Sequence, residues 1–211
     1  MPTIEKARDL YENADIVHDF DHVLRVLHTA EKLAASENAD LEIISAAALL
    51  HDVEGAAPEG ENRHDHHLSS ADFAGKVLRE EGWTDDRIAA VQHCILSHRY
   101  RDKSNVPSTL EAKILFDADK LDVLGAVGIA RVIAYAALAG SPFYYPPSDK
   151  FITTGKKKPG EPHSAYHEHL YKLRNVPRRL FTRSAKKIAI NRLKYLEVFF
   201  KRLIQEYEGQ A

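Results

Sequence analysis

The sequence predicts an all-α fold, on three observations. Apolar residues recur at three- and four-residue spacing along most of the 211 residues, and the two-residue alternation of a half-buried strand is almost absent. With 44% hydrophobic and 28% charged residues, the chain has the composition of an ordinary globular protein rather than a disordered or fibrous one. Its length suits one compact helical bundle with a C-terminal helical extension better than two domains.

The elements follow in order. A first helix is expected over about Thr3 to Glu12, and a second starts near Asp19, with Val23, Val26, Leu27, Ala30 and Leu33 forming an apolar stripe. Asp40 caps a third, which runs through Ile43, Ile44, Ala47 and Leu50 to His51 and stops at Gly55. After a loop around Pro58 and Gly60, a helix covers about His66 to Glu81, ended by Gly82. Thr84 caps the next, which carries Ile88, Val91, Cys94 and Ile95 on one side and brings His98 to that side. Ser108 then caps a long apolar helix to about Gly140, in which Gly125 and Gly128 imply close packing. The stretch from Ser141 to His163, rich in Pro, Gly, Tyr and Lys, is too long for a simple connection and reads as a lid-like loop. Helices over about Ser164 to Leu173 and Ser184 to Glu208 complete the chain.

Composition narrows the functional classes. A formal charge of -2 gives no general attraction for nucleic acid, so the clusters Lys156 to Lys158 and Arg178, Arg179, Arg183, Lys186 and Lys187 read as small-phosphate contacts or solvated faces. The lone Cys94 can form neither an internal disulfide nor a cysteine-rich zinc site, which fits a reducing cytoplasm. The N-terminus has no apolar run of the secretory type. The most apolar stretch, Val123 to Gly140, contains Arg131, which near a bilayer centre would cost ~2.5 to 3.5 kcal/mol. It is therefore expected to be a buried helix, with no membrane partner.

Three stretches carry chemistry. His51 and Asp52 follow a run of five apolar residues at a helix end, where buried polar groups need partners; adjacent helix positions about 100° apart can both reach one ion. In ILFDADKLDVLG, Asp117, Asp119 and Asp122 lie among apolar positions, and Asp119 and Asp122 share a face. An ionised carboxylate there costs several kcal/mol unless a cation or donors compensate it, so at least one should meet a metal or a base. His18 and His22, four residues apart in HDFDHVLRV, offer imidazoles on one helix face.

These residues together resemble the HD-domain phosphohydrolase superfamily, named for a His, His-Asp, Asp metal signature spread over several helices. The first His falls on His22, the doublet on His51-Asp52 and the last Asp on Asp119, within DADKLD. The resemblance is strongest to small standalone microbial members acting on nucleotides and related phosphates. It implies a single HD domain over 1–211, with a metal-binding core at about 19–140, the loop at about 141–163 and C-terminal helices at about 164–208. Several such proteins add two histidines for a second metal, and His67 and His98 match those places; His64, His66 and His93 compete with them.

Imidazole and carboxylate ligands without thiolate favour Mn, Fe, Co, Ni or Zn, with Mg also compatible. The implied activity is hydrolysis of a nucleotide or another small phosphate ester or anhydride, with nucleoside triphosphates first among the substrates. Asp52 would anchor or bridge metal, and Asp122 would orient water or protonate the leaving group. Lys120, Arg99 and Arg101 are the nearest cationic candidates for phosphate. Two other readings share the fold: a nucleotide sensor with little turnover, and a di-iron oxygenase. A homodimer is compatible with a helical domain of this size.

Overall fold

A computed structural model describes residues 2–11, 20–54, 66–99 and 105–210. The chain is all-α: among the described residues every regular element is a helix. These are α1 (Ile4–Asp9), α2 (Phe20–Glu37), α3 (Leu41–Leu50), α4 (His66–Glu80), α5 (Asp85–Ser97), α6 (Leu110–Leu121), α7 (Gly125–Leu138), α8 (Asp149–Thr154), α9 (Ala165–Tyr171), α10 (Val176–Arg179) and α11 (Arg183–Tyr207), with a 3-10 turn at Leu173–Asn175. None of them alone is long and apolar enough to cross a membrane. The chain separates into two compact units, one of residues 1–119 and 180–185, the other of 120–179 and 186–211.

In the first unit α3 is the central element. Its residues from Ile43 to Leu50 are all buried, so it is apolar on every side, as a helix surrounded by other helices must be. The Asp40 side chain accepts from the backbone N–H of Glu42 and Ile43 at 3.0 and 3.1 Å, satisfying donors that the first turn leaves open. Arg87 of α5 grips the same carboxylate at 2.9 and 3.2 Å, and Glu111 of α6 accepts from the Asp40 N–H, so the start of α3 ties three helices together. On α2 the expected stripe is buried, and Glu31 accepts from Ser45 of α3 at 3.0 Å. Gln92 of α5 donates to the Ala71 carbonyl of α4 at 3.0 Å.

Residues 180–185 belong to this unit through Asp117. Its fully buried carboxylate accepts from the backbone N–H of Phe181 (2.8 Å) and Thr182 (2.7 Å) and from the Thr182 hydroxyl (2.7 Å). Glu37 likewise accepts from the Ser184 N–H and hydroxyl at 3.0 and 2.6 Å.

Several expectations are corrected. The long helix from Ser108 to Gly140 is two, α6 and α7. Gly125 stands at φ +75°, a conformation that glycine adopts without strain, and a Cβ on Gly128 would lie 2.1 Å from the Val123 carbonyl oxygen. The two glycines thus shape the start of the second helix, directly after the break. Thr109, not Ser108, caps α6 by accepting from the Ala112 N–H, while the Ser108 N–H and hydroxyl engage His93. One face of α7 is buried through Ile129, Val132 and Ala136, but Leu138 is 74% exposed, so α7 is amphipathic rather than enclosed. The segment 141–163 contains α8 and is knotted by Glu161, which accepts from the Ser148 N–H and hydroxyl at 2.8 and 2.7 Å and from the Lys158 N–H at 2.6 Å. His167 lies 3.1 Å from the same carboxylate.

Candidate metal centre

Five helices of the first unit deliver polar groups to one place. His22 stands in the first turn of α2, buried in line with Val26 and Ala30. His51 and Asp52 follow the last residue of α3, and His51 is wholly buried. His66 opens α4, His98 closes α5, and Asp119 lies on α6 beside the buried Ala118. The same device holds two of the rings. His51 donates through Nδ1 to the Ala48 carbonyl at 2.8 Å, and His98 through Nδ1 to the Ile95 carbonyl at 2.6 Å. Each bonds a carbonyl in the last turn of its helix, and in a neutral ring this leaves the Nε2 lone pair facing inward. Tyr11, following α1, donates its hydroxyl to the Leu49 carbonyl at 3.1 Å and so pins the turn that carries the doublet. Burial pushes the Tyr11 phenol well above its usual range, and the negative charge on Asp52 adds to the effect.

Asp52 organises the site by dividing its oxygens. Oδ2 lies 3.5 Å from His51 Nε2 and 3.9 Å from His22 Nε2, and Asp119 Oδ1 is 3.6 Å from the same His22 nitrogen. Oδ1 lies 3.2 Å from both His66 Nε2 and His98 Nε2. The donors form two sets, His22 with His51 and Asp119, and Asp52 with His66 and His98, each spanning no more than 4.8 Å. Burial opposes ionisation of Asp52, but the His51, His66 and His98 imidazoles outweigh it and hold its carboxyl well below the usual carboxylate range. Burial also lowers His98, against the pull of Asp52, which favours the neutral ring that a metal requires.

The first set fits a divalent ion. His51 Nε2 is buried and has no hydrogen-bond partner, although it points at a carboxylate oxygen. A lone pair facing an ionised oxygen is repulsive unless a cation lies between them. Two donors each about 2.1 Å from an ion stand roughly 3 to 4.2 Å apart, and the His51–Asp52, His22–Asp119 and His22–Asp52 separations of 3.5, 3.6 and 3.9 Å fall in that range.

The expected ligands His22, His51, Asp52 and Asp119 are thus brought together, and His98 joins them. The partner of His98 at Asp52 is His66 rather than His67. The two are adjacent at the start of α4, so their side chains leave the helix about 100° apart, and it is His66 that turns inward. Arg99, expected at phosphate, places a guanidinium nitrogen 2.6 Å from His66 Nδ1. Asp122, expected to serve as acid or base, is buried and accepts from the Arg131 guanidinium. Lys120 is half-buried on α6, and Arg101, His18 and His64 lie outside the described residues. Tyr144 packs at a tilt on Tyr166 and edgewise on Tyr207, and the side chains of Lys156 to Lys158 are exposed. Sequence reasoning missed Tyr11: a single tyrosine just past a short polar helix carries no pattern that marks it.

The sequence model of the HD domain family matches residues 19–124, half of the chain, a span that contains all six of these histidines and aspartates. The chain belongs to the HD domain family. This HD chain is similar to the uncharacterized protein YpgQ of Bacillus subtilis, 29% identical over 195 residues, which is 91% of this chain and 85% of YpgQ. The crystal structure of Bacillus subtilis YpgQ in complex with ADP matches with a TM-score of 0.74 at 26% identity, over 99% of this chain and 100% of that one. An HD-superfamily hydrolase from Bacillus thuringiensis matches with a TM-score of 0.73 at 28% identity, over 98% of this chain and 95% of that one.

Proposed function

We propose that this HD protein is a metal-dependent phosphohydrolase acting on a nucleotide or a related small phosphate ester or anhydride. The observation that carries the reading is the buried, unpartnered Nε2 of His51, aimed at Asp52 and flanked by His22 and Asp119. The donor set of imidazole and carboxylate suits Mn, Fe, Co, Ni or Zn. His22, His51, Asp52 and Asp119 would hold such an ion, whose chemistry would be to lower the pKa of bound water and to offset charge on phosphoryl oxygens. Asp52, kept ionised by its neighbours, accepts hydrogen bonds and fixes the imidazoles around it. Arg99 adds a positive charge at the His66 edge, where an anionic substrate needs one. Lys120 and Arg101 are further phosphate-binding candidates from their places in the sequence. The ADP held by YpgQ supports a nucleotide as the substrate class.

Metal-stripped protein resupplied with Mn, Mg, Co, Ni or Zn and given a panel of nucleoside mono-, di- and triphosphates, with phosphate and pyrophosphate read separately, tests the proposal. His51→Ala and Asp52→Ala should lose turnover by at least about 100-fold, the scale of losing a metal or its orientation. Turnover at the parent rate in either variant ends the reading. Tight nucleotide binding with no product under every metal would instead favour a sensor.

A further inference from the structure

Tyr11 follows α1 and is buried, although most of that short helix is exposed. Its side chain reaches two other helices of the same unit. The hydroxyl donates to the Leu49 carbonyl of α3 at 3.1 Å, across 38 residues of chain, and the ring packs on Phe20 with 5.5 Å between centroids. Leu49 stands two residues before His51, and Phe20 opens α2 two residues before His22. Resting on the reading of this site as a metal centre, we infer that Tyr11 is a positioning residue, one that sets the spacing between the imidazole on α2 and the His-Asp doublet after α3.

The end of α3 needs such a hold. It is not closed by a residue in the left-handed conformation: His51, at φ -64° and ψ -31°, continues the right-handed turn. Two successive carbonyls of the last turn are instead gripped by side chains, Ala48 by the His51 ring and Leu49 by Tyr11. The first bond fixes the rotation of one imidazole, and the second fixes the turn that carries both His51 and Asp52. Phenylalanine would fill the same volume with no polar group to satisfy, so what the hydroxyl adds is the direction of that one bond. At the start of α2, Arg8 lays its guanidinium over the Phe20 ring, 4.7 Å from the centroid, so Arg8 and Tyr11 together hold the turn that bears His22. The tolerance is small. Donor separations of 3.5 to 3.9 Å leave an ion bound at about 2.1 Å only about half an ångström of slack, so a slip of one helix end against the other changes affinity.

Metal affinity tests this independently of turnover. The full-length protein and Tyr11→Phe, matched as folded apoproteins by circular dichroism, are titrated with Mn(II), with the free ion read by electron paramagnetic resonance. Both are then loaded with Co(II), whose visible absorption reports ligand geometry. Tyr11→Phe should bind Mn(II) about tenfold more weakly, the lower end of the loss on removing a group that orients a ligand, and should shift the Co(II) bands. Phe20→Leu, which keeps the hydroxyl and loosens the ring contact, should weaken binding in the same direction and stands in for Tyr11→Phe if that variant is unfolded. Unchanged Mn(II) affinity together with an unchanged Co(II) spectrum in the folded variant would overturn the inference and leave Tyr11 a structural residue. A wild type that binds neither ion would instead overturn the metal-centre reading on which it rests.

Discussion

Three aspartates on one stretch of α6 have three different neighbours. Asp117 receives backbone and hydroxyl donors from residues 181 and 182, Asp119 faces His22, and Asp122 is held by Arg131. In sequence all three lie in one largely apolar stretch; the residues themselves said that such carboxylates must be compensated, and the family resemblance put the metal role on Asp119. That Asp117 is compensated by Thr182, 65 residues further along the chain, is what no local pattern encodes. The His51-Asp52 doublet was legible for the opposite reason, since its place after an apolar run is a local fact. Replacing Asp117 with Asn should destabilise the protein by about 2 to 4 kcal/mol in urea denaturation, because an amide group would face buried donors and lose charge-assisted bonds. A change below 0.5 kcal/mol, on the order of a surface substitution, would show that these bonds contribute little.

Helices themselves were read well where a cap or a stripe marks them, as at Asp40 and along α2. They were read less well where conformation depends on space. In the sequence Gly125 and Gly128 read as packing residues within one helix, whereas Gly125, at positive φ, starts the second helix and Gly128 lies in its first turn against the Val123 carbonyl. Gly128→Ala should therefore cost about 1 to 3 kcal/mol, since the Val123 carbonyl cannot move aside freely. Gly75→Ala is the contrast: its Cβ meets only the end of the Gln92 side chain, which can rotate away, so thermal melts should show a smaller loss.

The segment around α8 makes a pH-dependent contribution. Partial burial opposes ionisation of Glu161, but the donors from Ser148, Lys158 and His167 bring its pKa down from 4.5 to about 2. A depressed folded pKa means that the unfolded chain takes up the proton first. The stabilisation is thus complete above about pH 4.5 and is lost as the pH falls toward about 2. Glu161→Gln should be less stable than the wild type at pH 7, with the difference narrowing over that window; a constant difference would refute the assignment.

At the scale of the molecule, an ion that binds the folded chain alone stabilises it by mass action. With free metal at about 100 times its dissociation constant the gain is about 2.7 kcal/mol, or roughly 5 to 10 °C in melting temperature for a chain of this size. Chelation should reverse the shift in the wild type and leave His51→Ala unmoved. The all-α class and the order of the ligand-bearing helices were readable from periodicity and spacing. The division into two units was not, because it depends on which distant stretches find each other.

That division has a consequence for how the protein comes to exist. All six side chains of the candidate metal centre are translated by residue 119, and the family match ends at 124, yet the first unit also takes in residues 180–185. While the ribosome is still making the intervening stretch, the carboxylate of Asp117 lacks the amides that will neutralise it. A nascent chain stalled before Phe181, or a gene shortened to the family boundary, would carry every candidate ligand and still lack the clasp that lets α6 bury the charge of Asp117.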